Sequence, residues 1–460
     1  MTGIPLLITF FIAIVIMIVA ISKFKIHPFL SLMGVSLLLA IVVGLPLDKI
    51  PGIIGSGFAG IFASIGIVII LGALIGLILE KTGAAIRLAD VVIRCVGKKH
   101  PQLAIMLMGW IVSIPVFCDS GFVILNPIRK ALCKKIKSVS SVGMAVALSG
   151  GLYIAHVFIP PTPGPIAAAG MLGLADNLAG VILVGMLVSI PGLIVTYIYS
   201  LYIGKRVQSS EDITIHDANT KTYEQLIAEY GKIPGAVASF APIVVPILLM
   251  ALGSIAAMAG ISGPIATFIK FIGTPIISLG IGVILAVGVL ASTNKMDKFH
   301  DITNDTLKTV GPILFITAAG GVLGKIITEA GFVEFMKTNV EFLSTIGILF
   351  PFIISAILKT AQGSSTVAIT TTASILGMFS DSSSMMAALG LNSPEAALLT
   401  VMAIGAGAMT VSHANDSYFW VVTNFSGMTP QEGYKTQTIM TLLAGVTSMI
   451  AIFLVSLFIL

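Results

Sequence analysis

The chain has 460 residues, of which 57% are hydrophobic and only 10% charged, and a net charge of +5. Soluble domains carry about 25% charged residues, so the composition excludes a water-soluble enzyme or binding module and implies a polytopic membrane protein. The positive balance needs no nucleic-acid partner, because basic loops orient membrane proteins. The three cysteines, Cys95, Cys118 and Cys133, imply no disulfide framework and no metal cluster.

In chain order, apolar runs close to the ~20 residues that cross a bilayer occur at 4–22, 28–46, 58–79, 140–158 and 178–203. The first has no basic residue before it and no small-residue cleavage site, so it reads as a retained helix rather than a signal peptide. Residues 205–235 are polar, mixed in charge and free of catalytic motifs, and read as a cytoplasmic linker. Five more apolar runs follow at 238–260, 273–291, 310–328, 395–412 and 436–460. The second set repeats the first. Lys23-Phe24 with Pro28 and Ser31 recurs 247 residues on as Lys270-Phe271 with Pro275 and Ser278, and Asp48-Lys49 recurs as Asp297-Lys298. Gly72, Gly76 and Gly83 recur as Gly320, Gly324 and Gly331 at an offset of 248. A duplication in register over three segments is the mark of a transporter built from repeats, here 1–204 and 236–460.

Two segments remain, 102–131 and 346–379, each long enough for two half-depth arms and too short for two crossings. Lys81, Arg87, Arg94, Lys98 and Lys99 precede the first, and Arg129, Lys130, Lys134, Lys135 and Lys137 follow it, which places both flanks in the cytoplasm. The second is flanked by Glu329, Glu334 and Glu341 against Lys337 alone, and by Asp381 and Glu395. The expectation is two re-entrant hairpins entering from opposite sides. Five crossings and one hairpin per half invert the second copy relative to the first. The fold class is therefore an all-α polytopic membrane protein of two inverted repeats, each with a hairpin and an unwound helix.

Irregular backbone at membrane depth is tolerated only where protein or a wet cavity satisfies it. Four such breaks interrupt the apolar runs: Pro115–Gly121, His156–Pro165, Lys359–Thr366 and Ser412–Ser417. Each half supplies a hairpin tip and an unwound helix, the arrangement of a midplane substrate site. Gly363, Ser364, Ser365 and Thr366 open one hairpin arm, and Asp119, Ser120 and Gly121 open the other. Free N–H groups and hydroxyls at a helix start suit a carboxylate without a mobile cation. Lys359 reads as a fixed countercharge. His156 and His413 can bond hydroxyl groups when neutral and titrate near physiological pH. Asp119 and Asp416 are acids at membrane depth, where charge defaults to function. Asp119 is placed to exchange a proton, with His156 the next candidate. The breaks carry no nucleophile, cofactor fingerprint or metal-ligand spacing, so neither an enzyme nor a bound cofactor or metal is implied. A passive channel needs a continuous polar pore, and here polar residues cluster between apolar spans.

In KFKIHPFLSL, GALIGLILEKTGAA, FCDSGFVIL, HVFIPPTPGP, AAGGVLGKII, QGSSTVAI and SHANDSYFW, taken in this order, the chain resembles the gluconate permease family of bacterial inner-membrane transporters, within the ion transporter superfamily. The resemblance implies proton-coupled import of small hydroxylated carboxylates such as gluconate, or of related compounds including D-serine. It also implies a homodimer with a fixed scaffold and a moving transport unit. It extends the candidate pocket to Thr162, where many members have His in PPHPGP, and to Asn415 within SHANDS. Other departures are Asp119 for a frequent Glu, Ser120 for an aliphatic residue, Lys359 for a frequent Arg and Ser365 for a common Ala.

Overall fold

Proline and glycine set most of the helix boundaries in the computed structural model, which describes residues 4–96, 100–136, 139–214, 232–258, 263–330, 347–413 and 416–459. The first half runs α1 (Ile4–Ser22), α2 (Pro28–Val42), α3 (Ile50–Ile61), a π turn (Phe62–Gly66), α4 (Ile67–Thr82) and α5 (Ala84–Val96). It continues with α6 (Pro101–Val112), α7 (Cys118–Lys135), α8 (Ser141–Phe158), α9 (Pro163–Met171) and α10 (Leu178–Ile203). A short α11 (Ser210–Thr214) leads into the second half: α12 (Ala236–Met258), α13 (Pro264–Ile272), α14 (Pro275–Ser292) and α15 (Phe299–Glu329). Then come α16 (Leu349–Gln362), α17 (Ser365–Leu376), α18 (Met385–Ala388), α19 (Pro394–Met409), α20 (Ser417–Phe425), α21 (Pro430–Gly433) and α22 (Ile439–Ile459).

Proline opens α2, α9, α14 and α19, where its missing N–H is an orphan in any case. Gly363 separates α16 from α17 at φ +89°, a conformation that disfavours any side chain. Each of the four sequence breaks falls between two helices: α6 and α7, α8 and α9, α16 and α17, α19 and α20. The order of long elements in the second half thus follows that of the first. Lys98, Lys99, Lys137, Glu334, Lys337, Glu341 and Asn415 lie outside the described residues.

Two expected spans are longer than their apolar runs. The run at 58–79 belongs to a helix that starts at Ile50 and passes through the π turn. The run at 310–328 is the apolar part of α15, whose first turns carry exposed Asp301, Asp305 and Lys308. Among the described residues, six helical stretches are long and apolar enough to cross a membrane.

Packing is reciprocal between the halves. The contact of α2 with α15 has its counterpart in that of α14 with α4, and α9 on α17 corresponds to α20 on α7. The central helices α8 and α9 are buried along their whole length. The flanking helices instead expose large apolar side chains, such as Ile190 and Ile194 on α10, Leu248 on α12, Ile284 on α14 and Phe458 on α22. Surface of this kind is stable against lipid. Glycines allow the closest approaches: a Cβ at Gly57 would lie 2.9 Å from the Gly321 oxygen, and one at Gly76 would overlap the Pro115 oxygen.

The start of the presumed linker is structural. Arg129 of α7 is fully buried and donates to both Glu211 carboxylate oxygens at 2.7 and 2.8 Å, to Ser141 Oγ at 2.6 Å and to Asn126 Oδ1 at 2.7 Å. Asp212 accepts from the Ser141 amide at 2.7 Å, and Ser210 Oγ donates to the Gly427 carbonyl at 2.8 Å. Residues 209–214 therefore strap α7 and the start of α8 to the turn after α20.

Candidate functional site

All four breaks converge on one cavity of about 400 Å³. The α16–α17 tip contributes Gly363 through Val367, the α6–α7 tip Phe117, Cys118 and Asp119, α8 Tyr153 and His156, and the α19–α20 break Asp416, Ser417 and Tyr418. Pro312, Ile313 and Ile316 of α15 form the apolar wall.

The α17 start is built for an anion. Ser364 is its N-cap and accepts from the Val367 amide at 3.3 Å, and Ser365, Thr366 and Val367 of its first turn line the cavity. Partial positive charge at a helix start attracts a carboxylate.

Behind this wall lies a buried ion pair. Lys359 Nζ, with no exposed side chain, sits 2.6 Å from Asp416 Oδ2 and also donates to the Gly363 carbonyl. Asp416 accepts in addition from Ser412 Oγ at 2.5 Å and from the Tyr418 amide at 3.0 Å, capping α20. The Lys359 ammonium also lies 5.7 Å from the Tyr153 ring centre, within cation–π range. The expected countercharge is thus directed at Asp416 and holds the end of α16 to the start of α20.

Asp119 is placed differently. It lines the cavity, and its carboxylate accepts from Ser417 Oγ at 3.3 Å and Cys118 Sγ at 3.5 Å. His156 also lines the cavity at 5% exposure, its ring stacked on Tyr153 at 6.5 Å and its buried Nδ1 without a hydrogen-bond partner among the described residues.

Of the residues singled out in the sequence, Asp119, His156, Gly363, Ser364, Ser365, Thr366 and Asp416 come together at the cavity. Others point elsewhere. Ser120 lines a separate cavity of about 50 Å³, and a Cβ at Gly121 would lie 2.6 Å from a Leu152 methyl. Thr162 is buried and donates to the Ile159 carbonyl at 2.7 Å. His413 Nε2 is 3.0 Å from the Thr360 carbonyl, so it ties the α19–α20 break to the end of α16. Sequence reasoning missed Tyr153, Tyr418 and the α15 wall. Only Pro312, a proline inside an apolar run, signalled that wall.

The likenesses to known proteins run over nearly the whole chain. An inner membrane permease, YgbN, of Escherichia coli (strain K12) is 32% identical over 97% of both chains. A gluconate permease of Zymomonas mobilis is 31% identical over 96% of this chain and 95% of its own. The crystal structure of the Alcanivorax borkumensis YdaH transporter, at 16% identity, shares the fold with a TM-score of 0.62 over 94% of this chain and 97% of the other. The GntP family permease model matches residues 4–458. From its first helix to its last, this multi-pass membrane protein belongs to the GntP family of permeases, and it is a transporter rather than an enzyme.

Proposed function

We propose that the chain imports a small hydroxylated monocarboxylate, gluconate- or glycerate-like, across the bacterial inner membrane by proton symport. In this reading it is built from two inverted repeats with re-entrant hairpins and works as a homodimer. The curated relatives include a high-affinity gluconate transporter and an L-idonate transporter of Escherichia coli, both named for hydroxylated acids. The observation that carries the reading is the division of charge in the cavity. Asp416 is neutralised by Lys359, whereas Asp119, in the same cavity as the α17 start, accepts from the Ser417 hydroxyl and the Cys118 thiol rather than from a cation. A carboxylate substrate beside an ionised Asp119 would be repelled, and a proton on Asp119 removes that repulsion. Proton and substrate therefore favour each other's binding.

The test is uptake of radiolabelled gluconate and glycerate into sodium-free vesicles with an imposed pH gradient. Accumulation that collapses with the gradient supports the reading. Accumulation that requires sodium, or selective uptake of D-serine with Asp119 pairing its ammonium, would replace it. In Asp119→Asn, uphill uptake should disappear while exchange between equal pools continues, because exchange needs no net proton movement. If accumulation in that variant still follows the gradient, the coupling group lies elsewhere, with His156 next.

Ser364→Ala probes the anion end. Loss of a hydrogen bond to a charged group costs about 1.5–3 kcal/mol, so KM should rise roughly ten- to a hundredfold with kcat little changed. Unchanged kinetics at normal expression would remove the substrate carboxylate from this helix start.

A further inference from the structure

The shared glycine motif meets different partners in the two halves. A small cavity lies between Ala73, Gly76 and Leu77 of α4, Thr306 and Thr309 of α15, and the α6–α7 tip at Val116, Phe117 and Ser120. A larger one, about 250 Å³, lies between Gly321, Gly324 and Lys325 of α15, Gly57 and Gly60 of α3, and the far end of α17 at Ala373 and Ser374. The repeat offset of 248 carries Ala73, Gly76 and Leu77 onto Gly321, Gly324 and Lys325. The offset of 249, that of Asp48 and Asp297, carries Gly57 and Gly60 onto Thr306 and Thr309.

On the α3, α4 and α15 side, then, the two cavities are one place in two copies. On the other side they differ. The smaller is closed by a hairpin tip, and the larger by the tail of the opposite hairpin. With Cys118 and Ser365 matched as helix starts, Val367 is the counterpart of Ser120 and belongs, by symmetry, where Ser374 now sits. Gly324 approaches Ser374 so closely that a Cβ there would lie 2.5 Å from its carbonyl oxygen. Seven residues separate Val367 from Ser374 along α17, which is about 10 Å of helix at 1.5 Å per residue.

We propose that the larger cavity is the second station of the substrate site, into which the tip Gly363–Val367 moves, and that Lys325 there contacts the substrate carboxylate. The proposal rests on the inverted-repeat transporter reading above. Lys325 stands where the other half has Leu77, so this position carries a cation in the second copy and an apolar side chain in the first. Its partner Glu329, at 3.1 Å, is itself exposed and holds it weakly. Asp381 also lines the cavity, but its carboxylate is engaged by the Ser383 amide at 2.8 Å and hydroxyl at 2.6 Å.

Two measurements test it. In a protein with Cys95, Cys118 and Cys133 replaced by serine, the pair Lys325→Cys and Val367→Cys should oxidise to a disulfide in membranes. Free thiols are counted by maleimide-polyethylene glycol after denaturation, and Leu77→Cys with Ser120→Cys, which share the smaller cavity, serves as the reference pair. Two free thiols retained in the Lys325/Val367 protein overturn the second station. Separately, Lys325→Leu should raise KM for gluconate or glycerate about tenfold at constant kcat, and Lys325→Arg should restore it. An unchanged KM overturns the carboxylate contact. If the parent takes up neither acid, the reading of function fails, and the disulfide pair still decides where the tip docks.

Discussion

Lys359→Ala is expected to destabilise the folded transporter by about 3–5 kcal/mol, because it leaves Asp416 buried with an uncompensated charge. Native proteins hold only about 5–15 kcal/mol in all, so most of the margin is lost. The remaining donors to Asp416, the Ser412 hydroxyl and the Tyr418 amide, cannot supply the missing positive charge. Melting of the purified protein in detergent checks this, with Lys359→Arg retaining most of the stability. Removing both charges, in Lys359→Met with Asp416→Leu, should cost less than the single change. A single and a double variant that melt alike would mean that the pair contributes nothing as a pair.

Arg129→Ala should produce a loss of similar size at a distant place. It breaks a pair with Glu211 in which the guanidinium is fully buried, and it removes the donor from Asn126 Oδ1 and Ser141 Oγ as well. Arg129→Lys should not rescue it, since one ammonium cannot reach Glu211, Asn126 and Ser141 in their fixed fork. Limited proteolysis within 205–235 gives an independent readout, because release of residues 209–214 exposes chain now held against α7 and α8. Equal resistance in variant and parent would show that the strap stays docked without its arginine.

Local chemistry made the four breaks legible: Pro115, the Pro160 to Pro165 cluster, Gly363 and the polar run from Ser412 each interrupt apolar sequence with residues that cannot continue a lipid-facing helix. What the breaks contact was not legible. Lys359 and Asp416 are 57 residues apart, and Arg129 and Glu211 are 82 apart. Composition reveals no such pairings. Residue-by-residue direction was lost too. Helix neighbours diverge by about 100°, so Asp119 faces the cavity while Ser120 faces α4. Tyr153 and Tyr418 sit in apolar helices, where an aromatic ring reads equally as core, lipid contact or ligand contact. The Thr162 hydroxyl shows the converse: a residue beside the breaks whose polar group is satisfied by the carbonyl three residues back.

The internal pairing of Lys359 with Asp416 also decides how the membrane voltage acts. These two charges cancel each other, and in the proton-symport reading proposed above Asp119 is the charge that varies at the cavity. With Asp119 as the coupling group, the empty site carries one negative charge on the carboxylate, and the loaded site carries one on the substrate. A charge crossing the membrane is worth about 2.3 kcal/mol per 100 mV. Since the same charge travels on the loaded and the returning leg, the electrical work of one cancels that of the other. The pH difference, rather than the electrical potential, then sets how far the substrate can be concentrated.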